Sequence, residues 1–197
     1  MTRRPANSVQ PETRAAWRQW LAEHHTQTEG VWLVLWKKAS GRPLLPYEDI
    51  VEEALAFGWV DSKTNALDEH RSMLWMAPRK PGSLWSAPNK RRIERLQAAG
   101  LMAPAGMAKV LAAQQDGSWV GLDAVEALHT PPDLAAAFER YPGAADHFAA
   151  FPRSARRAVL EWIVQAKRPE TRARRIDETA RLAQQNVRAN QWRPKEA

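Results

Sequence analysis

The chain has 197 residues, no cysteine and a formal net charge of +7, with 26% charged and 44% hydrophobic residues. This composition is ordinary for a soluble globular protein, and the length fits one domain or one domain with a small helical appendage. Without cysteine there is no disulfide framework, no cysteine-ligated metal and no thiol nucleophile. No run approaches the ~18 apolar residues of a membrane span, and no apolar segment follows the basic N-terminus, so we expect a cytoplasmic protein without a transmembrane segment.

The first part of the chain predicts a small sheet with packed helices. Residues 1–11 are polar, contain two prolines and are predicted to form a flexible arm. An apolar stripe predicts a helix over residues 12–25. Residues 31–36 form an apolar run of strand-forming side chains, and because both faces are apolar we expect this strand to be covered on both sides. Further elements are predicted over residues 47–57 (helix), 59–62 (extended), 71–77 (strand), 86–100 (helix) and 104–115 (helix).

The remainder of the chain predicts helices separated by prolines, over residues 132–141, 144–149, 154–167 and 170–185. The predicted fold class is α+β, with a small antiparallel sheet and packed helices followed by an all-helical C-terminal segment. The predicted boundaries are a flexible arm at 1–11, an α+β domain at 12–128, a helical segment at 129–185 and a flexible tail at 186–197.

Charge is unevenly distributed along the chain. Residues 79–95 contain six basic residues and one acidic residue, and residues 151–197 contain twelve basic and five acidic residues. Between them, residues 101–150 contain two basic and six acidic residues. A basic zone raises the local concentration of an anionic partner, although it also serves solubility alone.

The first basic segment is the best candidate for an anion site. It places cations and a glycine loop directly before a predicted helix N-terminus, where free amides and the helix dipole favour negative charge. The alternative is a loop with a serine cap and a solvated basic helix face. The residues predicted to meet an anion here are Arg79, Lys80, Ser83, Trp85, Ser86, Asn89, Lys90 and Arg91.

The second basic segment, residues 166–176, leads into the last predicted helix. Two arginines of this helix are spaced i, i+4 from acidic residues, Arg174 from Glu170 and Arg181 from Asp177. Helix electrostatics alone therefore accounts for the presence of these two arginines. That explanation does not cover the others. The residues predicted to contribute to an anion site are Lys167, Arg168, Thr171, Arg172 and Arg175.

Other candidate sites have weaker sequence support. The carboxylate of Asp61, between Trp59 and Ser62, is predicted to act as a base, to pair with Arg79 or Lys80, or to cap a turn. The histidines lack metal-ligand spacing and no serine-nucleophile motif occurs, so we predict no catalytic residue, no metal and no cofactor. The ten tryptophans predict an aromatic core, with a ligand pocket as the alternative.

Four motifs in consistent order suggest a family. Residues 52–62, Glu-Glu-Ala-Leu-Ala-Phe-Gly-Trp-Val-Asp-Ser, resemble the E-E-A-L-x-F-G-W-I-D-S signature of the YdeI/OmpD-associated family, also labelled bacteriocin-protection proteins. Residues 77–90 resemble its S-P-R-K-P-x-S-x-W-S-x-x-N-K motif, with alanine in the first position. Residues 100–106 resemble G-x-M-x-x-x-G, and residues 162–176 resemble W-I-x-x-A-K-x-x-x-T-R-x-R-R-I.

The resemblance implies protection against bacteriocins or antimicrobial peptides and association with an outer-membrane porin, but no established reaction. We predict a non-enzymatic stress- or bacteriocin-protection protein that binds an anionic ligand or nucleic acid through a basic surface. This hypothesis requires the two basic segments to converge in space. The alternatives are a small-molecule enzyme with a cleft near Asp61, Arg79 and Trp85, and a protein–protein adaptor.

Overall fold

The computed structural model describes residues 4–191, which form two compact units, one ending at Val120 and one beginning at Gly121. The fold is α+β as predicted, with a sheet in the N-terminal unit and helices alone in the described part of the C-terminal unit. The elements are β1 (Ser8–Val9), α1 (Arg14–His24), β2 (Val31–Trp36), a 3-10 turn (Lys38–Ser40), α2 (Tyr47–Ala56), β3 (Trp59–Ala66), β4 (Arg71–Pro78), α3 (Ala87–Ala98), α4 (Pro104–Gln115), α5 (Asp123–Glu126), α6 (Pro132–Glu139), α7 (Ala144–Ala150), α8 (Arg153–Val164) and α9 (Pro169–Gln184). Among these, no helix combines the length and apolar composition that a membrane crossing requires.

The sheet has the strand order β1-β2-β4-β3 and is mixed rather than wholly antiparallel. β4 pairs antiparallel with both β2 and β3, whereas β1 pairs parallel with β2. β1 lies in the segment predicted to be a flexible arm, of which residues 1–3 fall outside the described part. Its position is fixed because Trp32 donates its backbone N–H to the carbonyl of Asn7 at 3.0 Å, and because Val9 packs on the core. Within the segment predicted as a flexible arm, Ser8–Val9 therefore forms a short strand of the sheet.

The main core joins one face of the sheet to α1, α2 and α3. Leu33 on β2 is fully buried there, together with Trp17 of α1 and Trp59 of β3. Both indole N–H groups have hydrogen-bond acceptors. Trp17 Nε1 donates to the carbonyl of Ile50, and Trp59 Nε1 donates to the carbonyl of His25 at the end of α1, each at 3.1 Å. Val34, on the opposite face of β2, is also fully buried in a smaller cluster. β2 is thus covered on both faces, as its apolar run predicts.

A buried carboxylate joins α1 to α2. Glu53 is only 2% exposed and accepts hydrogen bonds from Arg14 Nε and Arg18 Nη1, each at 2.6 Å. The neighbouring Glu52 binds Arg14 at 3.1 Å and Arg95 of α3 at 2.8 Å. The two adjacent glutamates therefore connect three helices, which gives them a structural role.

The C-terminal unit is built from α5 to α9. α6 and α7 contribute Phe138 and Phe148, whose ring centroids lie 5.3 Å apart, and α8 contributes the fully buried Ile163. α9 buries Ile176, Ala180 and Ala183. Residues 192–197 of the predicted tail lie outside the described residues.

Replacement of Glu53 by alanine is expected to destabilise the N-terminal unit. Removing one partner of a buried ion pair costs about 3–5 kcal/mol, and because Arg14 and Arg18 are about one-third exposed we expect a loss of about 2–3 kcal/mol in the free energy of unfolding. Urea denaturation followed by tryptophan fluorescence measures it, since eight of the ten tryptophans precede residue 120. Glu94→Ala, at an exposed α3 position, is the control and is expected to change stability by less than about 0.5 kcal/mol. Equal losses for the two variants would contradict the role of Glu53.

Candidate functional site

A small basic pocket lies where β4 ends. Arg79 directly follows β4, and its backbone N–H donates to the carbonyl of Gly58 at 2.9 Å. The chain then turns and enters α3. The pocket has a volume of about 60 Å³ and is lined by Arg79, Lys80, Pro81, Gly82, Ser83, Trp85, Lys109, Ala112, Ala113, Asp116 and Ser118. Three cations and one carboxylate therefore line the pocket, which makes it positively charged.

Arg79 is the central group of this pocket. Its guanidinium lies 3.7 Å from the ring centroid of Trp85, and the residue is only 4% exposed. Nη2 donates to the carbonyls of Ser83 and Leu84 at 3.3 and 2.8 Å, but no carboxylate of the described chain forms an ion pair with Arg79. Burial lowers the pKa of Arg79 to about 10, and the charge of Asp61 opposes this effect. Arg79 stays cationic at neutral pH, without a direct counter-ion.

Close packing of α4 brings Lys109 to the pocket. A Cβ atom at Gly106 would lie 2.2 Å from the carbonyl oxygen of Ala56, so only glycine allows α4 to approach the end of α2 this closely. Gly58, with φ of +78°, faces the stem of Lys109, where a Cβ atom would lie 2.7 Å from Cγ. Sequence reasoning missed Lys109; Gly106 in the G-x-M-x-x-x-G motif was the available signal.

The loop after α4 closes the pocket on the other side. Asp116 accepts hydrogen bonds from the backbone N–H groups of Gly82, at 3.2 Å, and Ser118, at 2.9 Å. The Ser118 hydroxyl is itself buried without a well-formed hydrogen bond. Neither Asp116 nor Ser118 belongs to a pattern that marks an anion site in sequence, so both were missed.

The structure separates the first predicted set into two groups. Arg79, Lys80, Ser83 and Trp85 line the pocket, whereas the four residues at the start of α3 do not. Ser86 occupies the N-cap position without a side-chain capping bond, and Asn89 accepts a hydrogen bond from Arg92 at 2.8 Å. Lys90 Nζ lies 5.4 Å from the ring centroid of Trp119, and Arg91 is exposed.

Asp61 is engaged by a tyrosine and does not line the pocket. Tyr47 donates its hydroxyl to Asp61 Oδ2 at 2.8 Å. Partial burial of the phenol, together with this hydrogen bond to a carboxylate, raises the pKa of Tyr47 to about 12. The phenol therefore stays protonated and donates to Asp61 at neutral pH.

The second predicted set is partly tied up inside the C-terminal unit. Arg172 binds Asp133 of α6 through two hydrogen bonds of 2.7 and 3.0 Å. Arg175 donates to the carbonyl of Trp162 and lies 4.9 Å from the centroid of its ring. The predicted pair Asp177–Arg181 is not formed within the described residues, because Asp177 binds Tyr141 and Arg140 instead. Thr171 is half-buried.

The side chains of Lys167 and Arg168 are exposed, and within residues 4–191 neither side chain forms an ion pair or a hydrogen bond. They lie just before α9, with Arg168 at its N-cap position. Convergence of these two cations with the Arg79 pocket stays a prediction. No group of three metal-ligating side chains occurs in the described part of the chain.

Two family models match the chain. The one described as a domain of unknown function (DUF8412) matches residues 9–109, which contain the sheet, Arg79 and Lys109. The one described as "Bacteriocin-protection, YdeI or OmpD-Associated" matches residues 127–186, which include the second basic segment. No curated protein and no solved structure matches the chain.

Replacement of Gly106 by alanine tests the packing that positions Lys109. Alanine favours a helix by about 1 kcal/mol relative to glycine, so propensity alone would stabilise the variant. We expect Gly106→Ala to lower the free energy of unfolding instead, because the added methyl group meets the carbonyl of Ala56. Urea denaturation measures the change. The exposed α4 variant Ala108→Gly is the control, with a loss of about 1 kcal/mol from propensity alone; a stabilised Gly106→Ala would refute the close contact.

The ion pair between Arg172 and Asp133 predicts a pH dependence of the C-terminal unit. Hydrogen bonds from Arg172 lower the pKa of Asp133, so the pair stabilises the fold above the ordinary carboxyl pKa of about 4 and this contribution is lost as the pH falls. We expect Asp133→Asn to be less stable than the wild type by about 0.5–1 kcal/mol at neutral pH. The difference should shrink below about pH 4 in denaturation followed by circular dichroism. A difference independent of pH would contradict this assignment.

Proposed function

The chain belongs to the family of the domain of unknown function DUF8412 and carries a YdeI or OmpD-associated domain, and on this basis we propose a function. We propose that the protein is a non-enzymatic protection protein that binds an anionic partner through the Arg79 pocket. In this proposal the partner presents one small anionic group to Arg79, Lys80 and Lys109. The remainder of the partner stays outside the pocket. Protection against bacteriocins or related stress would then depend on this recognition.

The observation that carries the proposal is the buried Arg79 charge without a carboxylate partner. Burial of an unpaired charge is costly, and proteins normally offset it with an ion pair or a full set of hydrogen bonds. The direct contacts of Arg79 are two carbonyl acceptors and an indole ring, all of them neutral, and the charge of Asp61 acts on it without an ion pair. A bound anion would supply the missing charge compensation, and charge-assisted hydrogen bonds to arginine are among the strongest that proteins form.

The pocket dimensions limit the group that enters it. A volume of about 60 Å³ is well below the about 300–1,000 Å³ of typical small-molecule sites. A phosphoryl or carboxylate group matches this size, whereas a nucleobase or a sugar ring does not. The proposal is therefore recognition of a terminal anionic group.

The rival hypotheses find less support in the geometry. An enzyme using Asp61 as a base would need that carboxylate near the pocket, yet Asp61 accepts the Tyr47 hydrogen bond and lies outside the pocket lining. Asp116, which does line the pocket, is held by backbone N–H groups of Gly82 and Ser118. The adaptor hypothesis makes a different prediction: a protein partner would bind equally well to the wild type and to variants of the Arg79 pocket.

The test compares inorganic phosphate, pyrophosphate and sodium chloride at matched ionic strength, with thermal unfolding and calorimetric titration as measurements. A specific anion raises the melting temperature with concentration. We expect Arg79→Met to weaken binding by about 10- to 100-fold, because a hydrogen bond to a charged group is worth about 1.5–3 kcal/mol. Lys109→Met removes a second cation without exposing the carbonyls that Arg79 binds. Lys38→Met, in the 3-10 turn, is the control and is expected to bind like the wild type.

Stabilisation that follows ionic strength alone, or equal binding by the Arg79 and Lys38 variants, would overturn the pocket as the anion site. Nucleic acid is tested separately by the dependence of affinity on salt, since each phosphate contact adds to the slope of log K against log salt. Replacing Lys167 and Arg168 by glutamine should reduce this slope if α9 contributes. An unchanged slope would show that these two residues at the start of α9 do not contribute to nucleic-acid binding.

A further inference from the structure

A second cavity lies entirely within the C-terminal unit, among α6, α7 and α8. Its volume is about 340 Å³, and most of its lining is apolar. The rings of Phe138 and Phe148 form the buried part, being 7% and 3% exposed. Small side chains at Ala135, Ala145 and Ala149 leave space next to these rings. The cavity is thus large enough for a small molecule with an apolar group.

Two side chains of opposite charge line the same cavity. Arg156 of α8 is half-buried, and its Nε atom is buried without any hydrogen-bond acceptor. Glu139 at the end of α6 is exposed. Within the described part of the chain neither residue forms an ion pair, with the other or with any third group.

The next residue on α8, Arg157, shows how an arginine of this helix pairs when carboxylates lie close to it. Arg157 binds Glu126 and Glu161, each at 2.8 Å. Arg156, one position earlier, lines the cavity. Within the described residues it has no carboxylate partner, and its Nε–H has no hydrogen-bond acceptor. An orphan Nε–H beside an apolar cavity requires an explanation, because buried donors in native proteins are almost always satisfied.

We propose that this cavity binds a free α-amino acid with a large apolar side chain. The α-carboxylate pairs with the guanidinium of Arg156, whose planar donors match a carboxylate. The α-ammonium pairs with Glu139. The apolar side chain packs on Phe138 and Phe148, which prefer offset or edge-to-face contact with another ring.

Both charges are needed to explain the lining. A simple apolar acid would bind Arg156 but be repelled by Glu139, and an apolar amine would have the opposite problem. A zwitterion satisfies both groups, which stand in one small cavity without pairing with each other. The volume of about 340 Å³ is at the lower end of small-molecule sites, which span about 300–1,000 Å³, and suits an amino acid better than a dinucleotide.

The experiment is calorimetric titration of the full chain with L-phenylalanine and matched analogues. L-phenylalaninamide lacks the carboxylate, 3-phenylpropionate lacks the ammonium group, N-acetyl-L-phenylalaninamide lacks both charges, and L-alanine lacks the ring. We expect saturable binding of L-phenylalanine, with binding at least about tenfold weaker for the analogues that lack the carboxylate, because a lost charged hydrogen bond costs about 10- to 100-fold in affinity. L-alanine should also bind at least about tenfold more weakly, because it lacks the ring that packs on Phe138 and Phe148. 3-Phenylpropionate should bind about two- to fivefold more weakly, because Glu139 is exposed.

Variants identify the site. Arg156→Gln should weaken L-phenylalanine binding by about tenfold or more, and Glu139→Gln by about two- to fivefold because Glu139 is exposed. Ala145→Leu should weaken binding by filling the cavity without removing a charge. Arg174→Gln, at an exposed α9 position, is the matched control and should bind like the wild type. Circular dichroism shows that each variant is folded, and Ala145→Leu keeps the test decisive if Arg156→Gln unfolds.

Three results would overturn the proposal. The first is the absence of saturable binding of L-phenylalanine. The second is equal binding of N-acetyl-L-phenylalaninamide, which would indicate a groove for a peptide side chain. The third is equal binding of 3-phenylpropionate, which would indicate a site for apolar acids in which Glu139 has no role.

Discussion

The stacking of Arg79 on Trp85 is the interaction around which the candidate site is organised. A guanidinium tolerates burial better than an ammonium group because its charge is delocalised and weakly hydrated, and an indole face offers it an attractive neutral surface. This arrangement positions the charge but leaves it without a counter-ion. The surrounding backbone supports the same geometry, since Gly58 accepts the Arg79 N–H and Gly106 lets α4 approach. Charge, loop and helix packing therefore converge on one cavity.

Arginine serves two distinct purposes in this protein, and sequence does not separate them. Arg14 and Arg172 bind carboxylates that are distant in the chain and so hold helices together. Arg79 and Arg156 have no carboxylate partner in the described residues and line cavities. The basic segments are visible from charge density, but Arg172 pairs with Asp133, 39 positions away, and only tertiary structure brings that pair together. Lys109 was missed for the same reason.

Hydrophobic periodicity predicted most of the fold. The helix over Pro104–Gln115 and the strand over Val31–Trp36 were predicted with the observed bounds, because apolar runs, proline and glycine mark them clearly. β3 was predicted too short, since its exposed half carries polar residues and is held only by pairing with β4. β1 was missed because two residues carry no periodic signal, and their pairing depends on the distant β2.

That short strand also covers part of one edge of the sheet. An unpaired strand edge invites another chain to add to the sheet, and native proteins obstruct such edges. Here Ser8–Val9 occupies part of the rim of β2, while Pro5 and Pro11 on either side lack the N–H that a further strand would need. Arg4 Nη2 already donates to the carbonyl of Ser8 at 3.0 Å. Residues 4–11 thus leave few free N–H groups on this side of the sheet with which a further strand could pair.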